Sequence, residues 1–151
     1  FESEAAGIAA KLISDEEIAE LQSALGQMVE ENKLDKLSEN ADEIFHLVIA
    51  RATHNDAIVS VCQHLWSLRN NSSISARILE RVRQAGSRPS IEEHQRIFDA
   101  IQQRDATAAR LAMREHLTRV AKQLLDTTEE EALAAARQEI KRERERFSID
   151  K

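Results

Sequence analysis

The chain has 151 residues, a formal net charge of −6, and only three Gly, one Pro, one Cys and no Tyr. This length suits one domain with one core, and the acidic balance lacks the basic footprint that direct nucleic-acid binding needs. No apolar run is long enough to span a membrane, no secretory signal is visible, and the lone Cys62 cannot close an internal disulfide, so a cytoplasmic protein is the simplest reading. Ala, Leu, Glu, Arg and Gln dominate, and these residues favour helices. An all-α domain is therefore expected.

The stretch "FESEAAGIAAKL" predicts a first helix over about 2–12, with Ala5, Ile8, Ala9 and Leu12 on one face. No capping residue precedes it, so it reads as a helix already under way in a longer protein. Ser14, with Glu17 three residues on, makes a capping box. It opens a second helix to about 32, striped by Ile18, Leu21, Leu25 and Met28. A third helix, about 36–53, buries Phe45, Val48, Ile49 and Ala52. Asn55 reads as its terminator and Asp56 as the cap of a fourth helix. That helix turns Ile58, Val61, Leu65 and Leu68 inward, and Cys62 packs in the core as a small hydrophobe.

"RNNSS" at 69–73 weakens or bends the fourth helix, because Asn and Ser compete for backbone hydrogen bonds. Helix resumes over about 74–84. "AGSRPS" at 85–90 is the one clear loop, and Pro89 suits the first turn of the next helix, which buries Ile97, Phe98 and Ile101. Asp105 caps a long helix over 106–126, with Ala109, Met113, Leu117, Val120 and Leu124 inward. The tail at 128–147 reads as a solvated helix. Its "KRERER" run interleaves base with Glu and makes no nucleic-acid patch. The sum is an antiparallel bundle of six to seven helices.

One helix carries an unexpected pair. Asp42 and His46 stand one turn apart beside the apolar stripe, so both can reach a single point. His94 lies one turn from Ile97 and Phe98, and His116 sits between Met113 and Leu117. Three elements thus each aim polar groups at the core. Left without partners, each would cost about 1–3 kcal/mol. A shared divalent cation would remove most of that penalty, and bundle interiors are common places for such sites. Three imidazoles and a carboxylate suit Zn, Ni, Mn or Fe better than Ca or Mg. The competing reading is a set of core histidines, each bonded to its own neighbour. His54 reads as a helix-end residue and His64 as a partly exposed side chain, and both stand outside the set. Glu43 and Glu93 adjoin ligands in sequence and are expected to point away from the site.

Residues 42–55 read D-x-x-F-H-x-x-I-x-x-A-x-x-N. Residues 94–116 read H-x-x-I-x-x-A-I-x-x-x-D-x-x-A-A-x-x-A-M-x-x-H. Together, in this order, they resemble the FCD domain, the C-terminal effector-binding domain of FadR-subfamily GntR transcription regulators. The resemblance covers nearly the whole chain, 1–151. It implies a metal held by Asp42, His46, His94 and His116 at the floor of an effector cavity, zinc foremost, with nickel, manganese or iron(II) as alternatives. It also implies a small carboxylate effector (a sugar acid, hydroxy acid or similar), a homodimer, and operator DNA reached only through a winged helix-turn-helix absent from this chain. An Arg that such domains often carry just before the "FE" start would lie upstream of Phe1. "LWSLRNN" resembles the segment of hexuronate-responsive members in which a Trp precedes an Arg, and it offers Arg69 to grip the effector carboxylate bidentately; the competing reading of Arg69 is a surface charge. Trp66 is expected to pack. Two rivals remain at this point: a metal-dependent hydrolase or lyase-like enzyme, in which the ion activates water, and a purely structural ion.

Overall fold

The computed structural model of the chain describes residues 1–34, 40–84, 86 and 88–147, apart from the side chains of Ile74, Arg83 and Glu131. Among these residues there are seven helices and no strand: α1 (Glu2–Leu12), α2 (Asp15–Lys33), α3 (Asn40–Arg51), α4 (Asp56–Asn71), α5 (Ser73–Gln84), α6 (Ile91–Gln102) and α7 (Ala106–Phe147). None is long and apolar enough to cross a membrane. The all-α bundle expected from composition is what forms.

Helix α1 is the centre of the packing, against α3, α6 and α7. Its buried face is made of Ala5, Ala6, Ala9 and Ala10, whose small side chains let the neighbouring helices approach closely. Leu12, expected on that face, is exposed instead, and Ile13 fills the core just past the helix end. Helix α2 begins with the expected capping box: the Ser14 N–H donates to Glu17 Oε2 at 2.8 Å, and the Glu17 N–H donates to Ser14 Oγ at 3.2 Å. Leu21 and Met28 from α2, Phe45 and Ile49 from α3, Ile97 from α6 and Met113 from α7 meet in one apolar cluster.

Several boundaries differ from the sequence reading. The 36–39 start of the third helix lies outside the described residues, as do two positions of the 85–90 loop. Asn55 does not terminate α3. The helix ends at Arg51, a turn through His54 at φ +50° follows, and Asn55 caps α4 by accepting from the Ala57 and Ile58 amides at 3.0 and 3.4 Å. Asp56 is therefore the first helical residue rather than the cap. Pro89 precedes the cap of α6, which is Ser90, whose Oγ accepts from the Glu93 amide. Asp105 caps α7 as expected, accepting from Thr107 and Ala108.

The tail is not a separate helix. Helix α7 runs unbroken for 42 residues, about 60 Å at 1.5 Å per residue. Thr127 and Thr128, at the expected break, donate their hydroxyls to the carbonyls of Gln123 and Leu124, so they are satisfied inside the helix. Every described side chain from Thr128 to Phe147 is exposed.

The inner face of α4 is also rotated from expectation. Cys62 and Trp66 are buried, whereas Val61, Leu65 and Leu68 are 43%, 42% and 51% exposed. Among the described residues helix α4 packs chiefly against α3 and α5, and a narrow seam holds it. Between α6 and α7, Arg104 takes φ +58°, and its Nη1 donates to the Ile13 carbonyl at 2.7 Å. The turn thereby caps the C-terminal end of α1.

Candidate metal centre

Helix α3 presents Asp42 and His46, α6 presents His94, and α7 presents His116. All four side chains are buried, and one donor atom from each lies within 4.8 Å of all the others. His94 Nε2 stands 2.9 Å from Asp42 Oδ1, and His46 Nε2 stands 3.7 Å from the same oxygen. The rings of His94 and His116 are 4.5 Å apart, centre to centre. Phe45 meets His94 edge-on at 5.0 Å and Trp66 lies 5.5 Å from His46, so aromatic walls flank the cluster.

A second tier of acceptors fixes the rings. His46 Nδ1 lies 2.6 Å from Glu2 Oε2, His94 Nδ1 lies 2.8 Å from the Ser90 carbonyl, and His116 Nδ1 lies 2.8 Å from Glu93 Oε2. A carbonyl oxygen only accepts, so His94 carries its proton on Nδ1. A carboxylate at each of the other two rings favours the same tautomer. Each Nε2 is then left with a lone pair for the cluster, the arrangement in which an outer acceptor orients a metal-ligating histidine. His94 shows the consequence most directly. Its Nε2 faces the Asp42 carboxylate, so a neutral ring would set lone pair against lone pair. Only a cation between them, a proton or a metal, makes this contact favourable. A donor set of three imidazoles and one carboxylate fits a divalent transition metal.

The electrostatics follow the same geometry. Burial alone would raise the Asp42 carboxyl, but the His94 hydrogen bond and the charges of His46, His94 and Arg69 hold it well below the ordinary carboxylate range. Burial opposes charge on His46, yet the hydrogen bond and charge of Glu2, helped by Asp42, raise its pKa above the usual value. His116 goes the other way: burial, then His46 and His94, push it down to about 4 against the pull of Glu93. Neighbouring rings thus titrate apart, as closely packed like groups do.

Arg69 joins the cluster from α4. Its Nη1 donates to Asp42 Oδ2 at 3.2 Å, and its Cζ lies 4.3 Å from the centre of the Trp66 ring. Trp66 therefore packs, as expected, and also carries Arg69 by a cation–π contact. Glu43 does lie off the cluster, accepting from Asn70 Nδ2 at 2.9 Å. Glu93 contradicts expectation: it touches His116, and its Oε1 stands 2.6 Å from Arg119 Nε. One step before His94 on α6 turns a side chain about 100° around the helix, which here faces α7 rather than solvent. His54 and His64 are exposed, and His54 lies 3.2 Å from Glu17. Glu2, the Ser90 carbonyl and Arg119 entered no sequence reading. Glu2 belongs to a helix whose pattern says nothing about α3, so only the packing of α1 on α3 reveals it.

A cavity of about 630 Å³ opens beside the cluster, bounded by Asp42, His46, His116, Arg69 and Arg119 at one end and by helices α4, α5 and α7 along its length.

These features define an all-helical domain with a candidate metal centre in the wall of a large cavity. The chain belongs to the FCD domain family, whose sequence model matches residues 1–119. It is similar to the Uxu operon regulator of Haemophilus influenzae, with 34% identity over 132 residues, 87% of this chain and 50% of that protein. It is likewise similar to the Uxu operon transcriptional regulator of Escherichia coli K12, with 34% identity over 131 residues, 83% of this chain and 50% of that protein. The chain spans about half the length of these relatives. The solved structure of E. coli McbR/YncC shares the fold, with a TM-score of 0.71 over 84% of this chain and 60% of that one, at 18% identity. Both of these relatives are named as transcription regulators.

Proposed function

We propose that this chain is the effector-sensing domain of a transcription regulator. Asp42, His46, His94 and His116 hold one divalent transition metal, zinc foremost, and a small carboxylate binds in the adjoining cavity against the metal and Arg69. The observation that supports this best is the outer tier: each imidazole has Nδ1 engaged by a separate acceptor, which leaves the opposite nitrogen free for an ion. A bound ion supplies a Lewis-acidic position for a carboxylate oxygen. Arg69 can take the other oxygen, because its fork matches a carboxylate. A purely structural ion would not need the 630 Å³ cavity that borders two of its imidazoles and its carboxylate.

In this reading the regulator is a cytoplasmic homodimer that reaches operator DNA through a separate winged helix-turn-helix. The effector acts by binding one arrangement of the bundle better than another. The test is calorimetric titration of zinc-loaded protein with a panel of organic acids, with each mixture assayed for products. Saturable binding without turnover supports the sensor. Product formation, or an absence of binding by every acid, overturns it.

A further inference from the structure

The cavity has two unlike parts. Its cluster end carries every histidine and carboxylate that borders it, together with Arg69 and Arg119. Its long walls are built from Leu65 and Leu68 of α4, Leu79 and Val82 of α5, and Val120 and Leu124 of α7. Among the described residues, the side chains away from the cluster end that can hydrogen-bond are Ser72, Ser75, Arg88 and Gln123. The walls also account for the outward turn of α4: Leu65 and Leu68 are about half exposed because they face this space rather than the core.

We infer that the effector is an amphiphilic carboxylic acid, with its acid group at the Arg69 end and a hydrocarbon body of several carbons along α4, α5 and α7. This rests on the sensor reading of the same site. A compact polyhydroxylated acid fits the walls poorly. Each hydroxyl brought from water to an apolar surface without a partner costs free energy, and few side chains there can supply one. A hydrocarbon body gains from the same surface. The cavity volume falls within the range of pockets that enclose ligands much larger than a two- or three-carbon acid.

The test uses zinc-loaded protein and a homologous series: glycolate, 2-hydroxyhexanoate and 2-hydroxyoctanoate, with glucuronate and n-octylamine alongside. Binding is read by calorimetry and by fluorescence of Trp66, the single tryptophan. The dissociation constant should fall by up to about fourfold per added methylene, the limit set by full burial of each CH₂. Glucuronate should bind at least tenfold more weakly than 2-hydroxyoctanoate, and octylamine should not bind. Leu68→Gln, at an exposed position whose change leaves the core intact, should flatten the chain-length series while leaving glycolate unchanged. A flat series in the unaltered protein, or glucuronate equal to the longest acid, overturns the amphiphile and leaves the sensor standing. Octylamine binding as tightly as 2-hydroxyoctanoate also overturns it, by showing adsorption without recognition of the acid. Zinc uptake with no acid binding at all removes both readings.

Discussion

Glu93→Gln isolates the outer tier of the candidate metal centre. Glu93 accepts from His116 Nδ1 at 2.8 Å and holds Arg119 Nε at 2.6 Å on its other oxygen. The glutamine keeps the size and can still accept a hydrogen bond, but it loses the charge. In the proposed metal centre His116 Nε2 then becomes a weaker donor, and Arg119 is left with an uncompensated positive charge that would repel an incoming cation. Loss of such an outer partner weakens metal binding about 10–100-fold, or about 1.4–2.8 kcal/mol at 1.4 kcal/mol per decade. The Arg119 charge places this variant toward the upper end. Zinc affinity would be measured by competition with a chromogenic chelator, and circular dichroism would check that helix content is kept. Glu2→Gln should act in the same direction through His46, whereas His116→Ala, which removes a ligand outright, should lose more than either. Full zinc affinity in both glutamine variants would refute the argument that these carboxylates orient the rings for an ion.

Stripping metal from zinc-loaded protein should lower its thermal midpoint. At a free metal concentration 1,000 times the dissociation constant the linkage is about 4 kcal/mol, or about 8–16 °C at 2–4 °C per kcal/mol for a chain of this size, as scanning calorimetry with and without chelator would show. Arg104→Ala should destabilise by about 1–2 kcal/mol in urea melts, because it removes the donor to the Ile13 carbonyl without relieving the non-glycine backbone at φ +58°. Arg104→Gly should cost less, since glycine relieves the backbone strain; equal losses would show that the strain is negligible. Burial, with Glu2 nearby, pushes the Cys62 thiol up from 9.0 to about 11. Between those values the folded chain keeps a proton that the unfolded chain releases, so stability should fall as pH rises past about 9. For the same reason Cys62 should resist alkylation at pH 8 until urea unfolds the protein.

Local signals were legible where one helix settles the matter by itself. The Ser14–Glu17 capping box needs only its own four residues, and it forms. Asp42, His46, His94 and His116 were legible as a group because each stands beside an apolar stripe that had to face the core, and the structure gathers all four. Failures occurred where a neighbouring helix decides. The apolar positions of α4 could be read as a core seam, but a cavity rather than a core lies beside Leu65 and Leu68. The one-residue step from His94 predicts an outward Glu93, yet α7 occupies that direction. Asn55 illustrates a different limit: Asn is favoured at both helix ends, and φ +50° at His54 decides which end it serves. The threonines at 127 and 128 look like a break until their hydroxyls are seen bonded one turn back within the helix.

Asp42 explains how a cluster of this kind can report on a ligand. Its Oδ1 faces His94 at 2.9 Å and its Oδ2 accepts from Arg69 at 3.2 Å. The two oxygens therefore connect the interior of α6 with the cavity-facing side of α4 through a side chain on α3. Under the proposed sensor function, an effector carboxylate near Arg69 would compete with Asp42 for the same guanidinium. If Arg69 is drawn away, Oδ2 loses a positive partner and the whole carboxylate becomes a stronger donor to an ion. Acid binding and metal binding would then reinforce one another, and linkage requires the coupling to be the same in both directions. Arg69 also rests on Trp66, which lies against His46, so its movement is felt at a second ligand. Coupling by this route needs no long pathway. It needs only that one arginine have two carboxylates to choose between, one belonging to the protein and one to the effector.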